Sequence, residues 1–248
     1  MPTVPELVIE YIKAKGINHF FGLPSSGVLL HLLEAGRQRG VDFVSTSNES
    51  SGVIAAAYYG YFKGCAGLAI AIQGPGAGNM VSGAVNVQFE RKPVVCVCEC
   101  PAIDDFGAWG QQADHPSLFK STTKACLRIT KENTAQALHD AFCLAVRPRL
   151  GPVLLELPRN LGNCEAGMDL TITQKPVPQV PNPEALSTAC NLVGSFKKPV
   201  IIAGDDVRSE GCIPTLISLA ESLQAAVLVT MDGRGVFPET NRRFGCVY

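Results

Sequence analysis

The chain has 248 residues, 46% of them hydrophobic and 17% charged, and a formal net charge of −1. That length and apolar content support one large domain, or one and a half ordinary ones, with a sizeable core. The charge gives no electrostatic case for nucleic acid or an anionic membrane, no apolar run reaches the length of a membrane span, and the start Met1–Leu7 lacks a secretion signal's basic-then-apolar order, so a cytoplasmic location is expected.

Apolar spacing at Val4, Leu7, Val8, Tyr11 and Ile12 predicts a helix over 4–15, ended by Gly16. His19–Gly22 reads as a short strand, 23–26 as a turn, and Val28–Arg39 as a helix stopped by Gly40. Strand Phe43–Thr46, helix Ser51–Phe62 and strand Leu68–Ile72 follow. A Gly-rich loop then precedes a helix over Met80–Phe89. Strand Pro93–Cys98, helix Thr134–Val146 and strand Val153–Leu157 complete the series. Short, nearly all-apolar strands alternating with helices predict an α/β fold, a parallel sheet covered on both faces. Function in such sheets gathers in loops at the carboxyl ends of strands. Here those loops are 22–27, 47–51, 73–79 and 99–116.

Residues 166–183 break the pattern: Pro176, Pro178, Pro181 and Pro183 among polar neighbours read as an extended linker. The domains are therefore 1–165 and 184–248. The second piece has helices over 184–195 and 213–223 and two strands, Pro199–Gly204 and Ala226–Thr230, with a loop at Gly233–Pro238. Two strands and two helices bury little surface alone, so this domain reads as incomplete.

Ten cysteines without a secretion signal argue for a reducing compartment. Cys96, Cys98 and Cys100 alternate along a strand, which puts them on one face. Zinc sites favour C-x₂-C in turns, so these three read as small apolar strand residues, with a redox or metal role as the alternative.

Two features point to a ligand. Glu49 stands between a strand and a helix rich in Gly, Ala and Ser, where a flat group could approach a lone carboxylate. Gly74-Pro75-Gly76-Ala77-Gly78-Asn79 follows a strand and opens a helix, where bare backbone amides favour close approach and an anion. Neither is specific alone. The loop matches neither G-x-G-x-x-G nor a P-loop and could be a plain tight turn, and a strand-end Glu is commonly a cap or solvated.

Together with their neighbours these segments resemble the pyrimidine-binding (PYR) domain of thiamine diphosphate enzymes of the acetolactate synthase and 2-keto acid decarboxylase superfamily. Phe20-Phe21-Gly22-Leu23-Pro24 resembles the family's F-G-x-P-G. Asn48–Tyr61 resembles its H-E-x-x-A-x-x-x-A-x-G-Y-A, and Gly74–Asn79 its G-P-G-x-x-N. Lys92–Val95 and Gly151–Pro158 resemble two further strand entries. The likeness runs over 1–162. Lys198–Gly204 and Gly233–Pro238 resemble the start of the family's Rossmann-like middle domain. The sequence departs from the pattern at Asn48, where His is common, and at Ser25, which replaces a Gly. Gln73 stands before the G-P-G, and Gly110-Gln111 lies where acetolactate synthases carry a Gln before Thr-Lys, here Thr123-Lys124.

The resemblance implies a three-layer PYR domain followed by an incomplete middle domain. It implies Glu49 as the catalytic glutamate that bonds the cofactor's pyrimidine nitrogen and promotes deprotonation at the thiazolium C2. Gly74, Pro75, Gly76 and Asn79 would shape the pyrimidine pocket. Gly22, Pro24, Ser25 and Gln111 would lie near a small 2-keto acid, and His115 is a candidate acid or base in the same loop as Gln111. No G-D-G…N motif of the family's diphosphate-binding (PP) domain occurs in these 248 residues. Diphosphate and Mg²⁺ would then be held by a PP domain on a partner chain in a hetero-oligomer, with the sheet edge after residue 230 as its point of attachment, and no metal ligand is expected here. Two alternatives stay open: a non-catalytic or regulatory PYR-fold partner, and a truncated piece of a three-domain enzyme.

Overall fold

The computed structural model describes residues 1–102, 105, 110–167, 180–209 and 211–248. The chain forms two compact units, Met1–Pro176 and Val177–Tyr248. Most of the proline-rich segment 166–183 lies outside the described residues. Its first residue, Ala166, is buried in the core of the first unit and bonded to the Pro2 carbonyl, and Pro183 already begins a helix.

The first unit runs α1 (Val4–Ala14), β1 (His19–Gly22), α2 (Val28–Arg39), β2 (Asp42–Ser45), α3 (Glu49–Phe62), β3 (Gly67–Ala71), α4 (Pro75–Phe89), β4 (Val94–Cys100), α5 (His115–Phe119), β5 (Cys126–Arg128), α6 (Thr134–Val146) and β6 (Pro152–Pro158). The six strands form one parallel sheet in the order β2-β1-β3-β4-β6-β5. Alternation along each strand divides the core. Leu68, Ile70, Val95, Val97, Val153 and Leu155 pack with α1, α2 and α6. Ala69, Ala71, Val94, Cys96, Cys98 and Leu154 pack with α3, α4 and α5. The three layers follow from that division.

Three elements depart from the sequence reading. The Gly-rich segment is no free loop: α4 begins at Pro75, where a missing N–H and fixed φ suit the first helical position. The short α5 forms where Asp114 caps the Ser117 amide, and β5 is a three-residue edge strand. Cys96, Cys98 and Cys100 are all buried, and burial pushes the thiols up, Cys96 and Cys100 to about 12.

The second unit comprises α7 (Pro183–Gly194), β7 (Val200–Ala203), α8 (Asp206–Ser209), α9 (Ile213–Leu223), β8 (Ala226–Val229) and β9 (Phe244–Val247). Its sheet has three parallel strands rather than two, ordered β7-β8-β9. Leu216 and Ala220 of α9 pack on Val227, Val229 and Phe237. The edge after residue 230 is therefore not free, because β9 pairs there with β8; the outer strands are β7 and β9.

Candidate functional site

The sheet order reverses at β1. From it the chain steps to β2 on one side, then returns to place β3 on the other, with α2 and α3 on opposite faces. The two helices part above the carboxyl ends of β1 and β3 and leave a crevice, the usual place for a ligand in an open α/β sheet. A cavity of about 460 Å³ lies there, lined by Leu23, Pro24, Ser25, Ser26, Leu30, Glu49 and Ile72.

Glu49 is the first residue of α3. Asn48 caps that helix, its Oδ1 accepting from the Ser51 N–H at 2.8 Å. The Glu49 side chain is only 6% exposed, and its Oε2 accepts from Asn79 Nδ2 at 3.0 Å. Its Oε1 faces Gly76, lying 3.2 Å from where a Cβ would stand, while Ile72 Cγ2 would be 2.8 Å from the same atom. Any larger residue at 76 would crowd the carboxylate. The hydroxyl of Ser50 donates to the Asn79 carbonyl, tying α3 to α4 next to this contact.

Of the other predicted residues, Pro24 and Ser25 line the same cavity as Glu49, and the Ser25 hydroxyl is buried without a protein partner. Gly22 ends β1 beneath them, its Cα against the Ile70 backbone, outside the cavity lining. Pro75 is exposed at the start of α4. Gln111 has an exposed side chain and does not line the cavity; instead its carbonyl packs on Gly74. Gln73 Nε2 donates to the Gly110 carbonyl at 3.2 Å, so the 110–115 segment is laid against the Gly74 turn.

Two buried acids were not foreseen as part of this region. Glu99, at the end of β4, accepts from the Val28 N–H at 3.1 Å, capping α2 from across the sheet. Its carboxylate fills the space where Gly27 lacks a side chain, and Gly27 holds φ +63°. It thereby anchors the end of the 23–27 loop. Burial raises the Glu99 pKa, opposed by the Val28 amide and by Arg159. Glu156, in β6, lies 3.3 Å from His115 Nδ1 and 3.8 Å from Arg128 Nη1. His115 itself is wholly buried, and its Nε2 accepts from the Gly74 N–H at 3.1 Å. The available signal was a lone acid inside an otherwise apolar strand, which demands a partner. Among the described residues no cluster of three His, Cys, Asp or Glu side chains is placed to hold a metal ion, and no helix is long and apolar enough to cross a membrane.

Comparison with known proteins agrees with this geometry. Residues 2–120 match the family described as thiamine pyrophosphate enzyme, N-terminal TPP binding domain, and residues 186–247 match the central domain of the same enzymes. The chain is 29% identical to a probable acetolactate synthase large subunit of Methanocaldococcus jannaschii, over 94% of this chain and 41% of that protein. Against the acetolactate synthase large subunit of Corynebacterium glutamicum the figures are 28%, 96% and 39%. For isozyme 3 of Escherichia coli they are 26%, 96% and 43%. The chain thus spans about two fifths of the length of these relatives. With the motifs, the three-layer sheet and the buried glutamate at its switch point, these matches make the chain a member of the thiamine pyrophosphate-dependent enzyme superfamily, carrying its N-terminal cofactor-binding domain and sequence of its central domain.

Proposed function

We propose that this chain supplies the pyrimidine half of a thiamine diphosphate site in an acetolactate synthase-like enzyme that decarboxylates or ligates small 2-keto acids. The observation that carries the reading is Glu49: buried at the mouth of the parallel sheet, held by Asn79 and facing bare backbone at Gly76. The residues fit a flat heteroaromatic ring with a basic nitrogen. Gly76 leaves the flank of the carboxylate open, and Ile72, Leu23 and Leu30 give the cavity apolar walls. When bound, the cofactor supplies a carbanion equivalent and an electron sink. The chain's own part is to hold or share a proton at Glu49 Oε1 or Oε2, keep that carboxylate oriented through Asn79, and exclude water with the apolar lining. Pro24 and the unpartnered Ser25 hydroxyl then stand where a substrate's polar end would meet the cavity.

Diphosphate and Mg²⁺ are assigned to a PP domain outside these residues, on a partner chain. A second reading places that domain on the same polypeptide. The chain's coverage of 39–43% of the synthase subunits favours it. The adjoining reading frame separates the two: a neighbouring gene with G-D-G…N fits the split enzyme, and a continuous frame fits the longer one.

The decisive test is Glu49→Gln in the assembled enzyme. Glutamine keeps the shape and an acceptor for Asn79 but cannot take or give the proton. Stability should stay within about 1 kcal/mol, because a weakened charge-assisted hydrogen bond is offset by relief of a buried charge. Exchange of the cofactor's C2 proton should fall to the rate of free cofactor. Wild-type exchange in the variant would overturn the assignment. Titration of thiamine diphosphate with Mg²⁺ into the isolated chain should give weak binding, and tight binding would contradict a shared site.

A further inference from the structure

His115 has one ring nitrogen in a hydrogen bond and the other beside a buried carboxylate. Nε2 lies 3.1 Å from the Gly74 amide nitrogen in a buried hydrogen bond. Nδ1 is buried 3.3 Å from Glu156 Oε1, within ion-pair distance but not aligned for a hydrogen bond. Glu156 in turn faces Arg128, whose guanidinium also donates to the Pro101 carbonyl. A backbone N–H can only donate, so Nε2 must be the unprotonated nitrogen. The proton of a neutral ring is then on Nδ1, the nitrogen that lies 3.3 Å from Glu156 Oε1.

Gly74 is the residue from which α4 starts, and its amide has this imidazole as acceptor. The turn it fixes delivers Gly76 and Asn79 to Glu49 within the next five residues. Elements far apart in sequence therefore converge on one amide: Glu156 from β6, His115 from α5, and Arg128 from β5. Burying these groups is costly, the more so because His115 Nδ1 and Arg128 Nε are left without a hydrogen bond, and nothing in the fold of α5 alone requires a histidine at its first position.

We propose that His115 is a positioning residue. As a neutral, Nδ1-protonated imidazole oriented by Glu156, it holds the Gly74 amide and so sets the α4 turn that presents Gly76 and Asn79 to Glu49. The consequence for cofactor binding rests on the function proposed above; the hydrogen bond and the tautomer do not.

The test uses the full chain and two amide replacements. In His115→Gln the side-chain oxygen reaches the place of Nε2 and can accept from Gly74. In His115→Asn the shorter amide stops near Nδ1 and leaves the Gly74 N–H without an acceptor. Imidazole ¹⁵N spectra of the wild-type chain, which has four histidines, assigned by loss of one signal in His115→Gln, should show His115 as the Nδ1–H tautomer. Amide exchange at Gly74 should speed up roughly tenfold or more in His115→Asn and much less in His115→Gln. An Nε2–H tautomer, or unchanged Gly74 protection in His115→Asn, overturns the proposal. In the assembled enzyme, thiamine diphosphate affinity should drop in His115→Asn and recover in His115→Gln. Equal loss in both variants rejects the positioning role. If the tautomer and exchange pattern appear while the wild-type assembly binds no thiamine diphosphate, the hydrogen-bonded turn stands and the cofactor reading falls.

Discussion

Replacing Gly74 by alanine is the sharpest test of how the site is built. Its backbone sits at φ +65°, ψ −107°, outside the regions open to L-residues. Holding alanine there costs roughly 1–3 kcal/mol. The added methyl would lie 2.0 Å from the Gln111 carbonyl oxygen and 2.7 Å from its carbon, both backbone atoms. No rotamer change relieves that, so the 110–112 segment must retreat by more than an ångström. Retreat strains the Gln73–Gly110 and Gly74–His115 hydrogen bonds, each contributing about 1 kcal/mol. With both bonds lost the sum is roughly 3–5 kcal/mol, which for a unit of this size lowers Tm by on the order of 10 °C. Gly78→Ala is the matched control: same helix, open space around the new methyl and no positive φ, so helix propensity alone should stabilise it by up to about 1 kcal/mol. Thermal melts followed by circular dichroism, with urea midpoints alongside, measure both. If Gly74→Ala melts within about 1 kcal/mol of wild type, the 110–115 segment is not packed on this turn and the account of the site's support fails.

Two other measurements probe the buried groups. Burial raises the folded pKa of Glu99 above the ordinary carboxyl range. Such an acid contributes stability that is complete below its unfolded pKa and is lost as pH rises through the folded value. Glutamine accepts from the Val28 amide without charging, so Glu99→Gln should gain stability relative to wild type as pH rises above about 4. Urea midpoints whose difference stays flat, or moves the other way, refute this. For the cysteines, peptide mapping after brief alkylation of the native chain should find label at exposed Cys190, Cys212 and Cys246 and none at Cys96, Cys98 or Cys100. Cys126 is exposed, yet its thiol is pushed up to about 11 by burial and then by Glu156. It should lag the others by about a hundredfold at neutral pH, and early labelling of Cys98 would contradict its place in the core.

The layered sheet was legible because its strands are apolar on both faces, which leaves few other solutions. Strands such as Gly67–Ala71 bury every residue, so composition alone identifies them. Boundaries were lost where tertiary contacts override local preference. Gly74–Asn79 is glycine-rich enough to read as a loop, yet Pro75 and the packing of Gly76 on Ile72 wind it into helix. The strand Phe244–Val247 was missed because four residues interrupted by Gly245 carry almost no periodicity; pairing with β8 makes it a strand. Glu49, Gly76 and Asn79 were legible as one motif set because their spacing is local to two helix starts. Glu99 and Glu156 were visible as acids in apolar strands, but their partners lie 71 and 41 residues away, at Val28 and His115, and no local pattern encodes such pairings.

The arrangement also explains how a carboxylate can be kept in so apolar a crevice. A buried acid is unfavourable unless its charge is met. Glu49 stands in the first turn of α3, where the unpaired amides and aligned peptide dipoles favour negative charge by about 0.3–1 kcal/mol. Asn79 adds one donor from the neighbouring helix. Both come from helix starts that the sheet reversal brings together, so the acid's setting is a property of topology as much as of neighbours. That makes the support of α4 more important than its own sequence suggests. A shift of its first turn would withdraw Asn79 and bring Gly76 away from Oε1 at once, leaving Glu49 with the α3 terminus alone. The Gly74 turn, pinned by Gln111 on one side and His115 on the other, is where such a shift would begin, and damage there should reach Glu49 without any change in the residues that touch it.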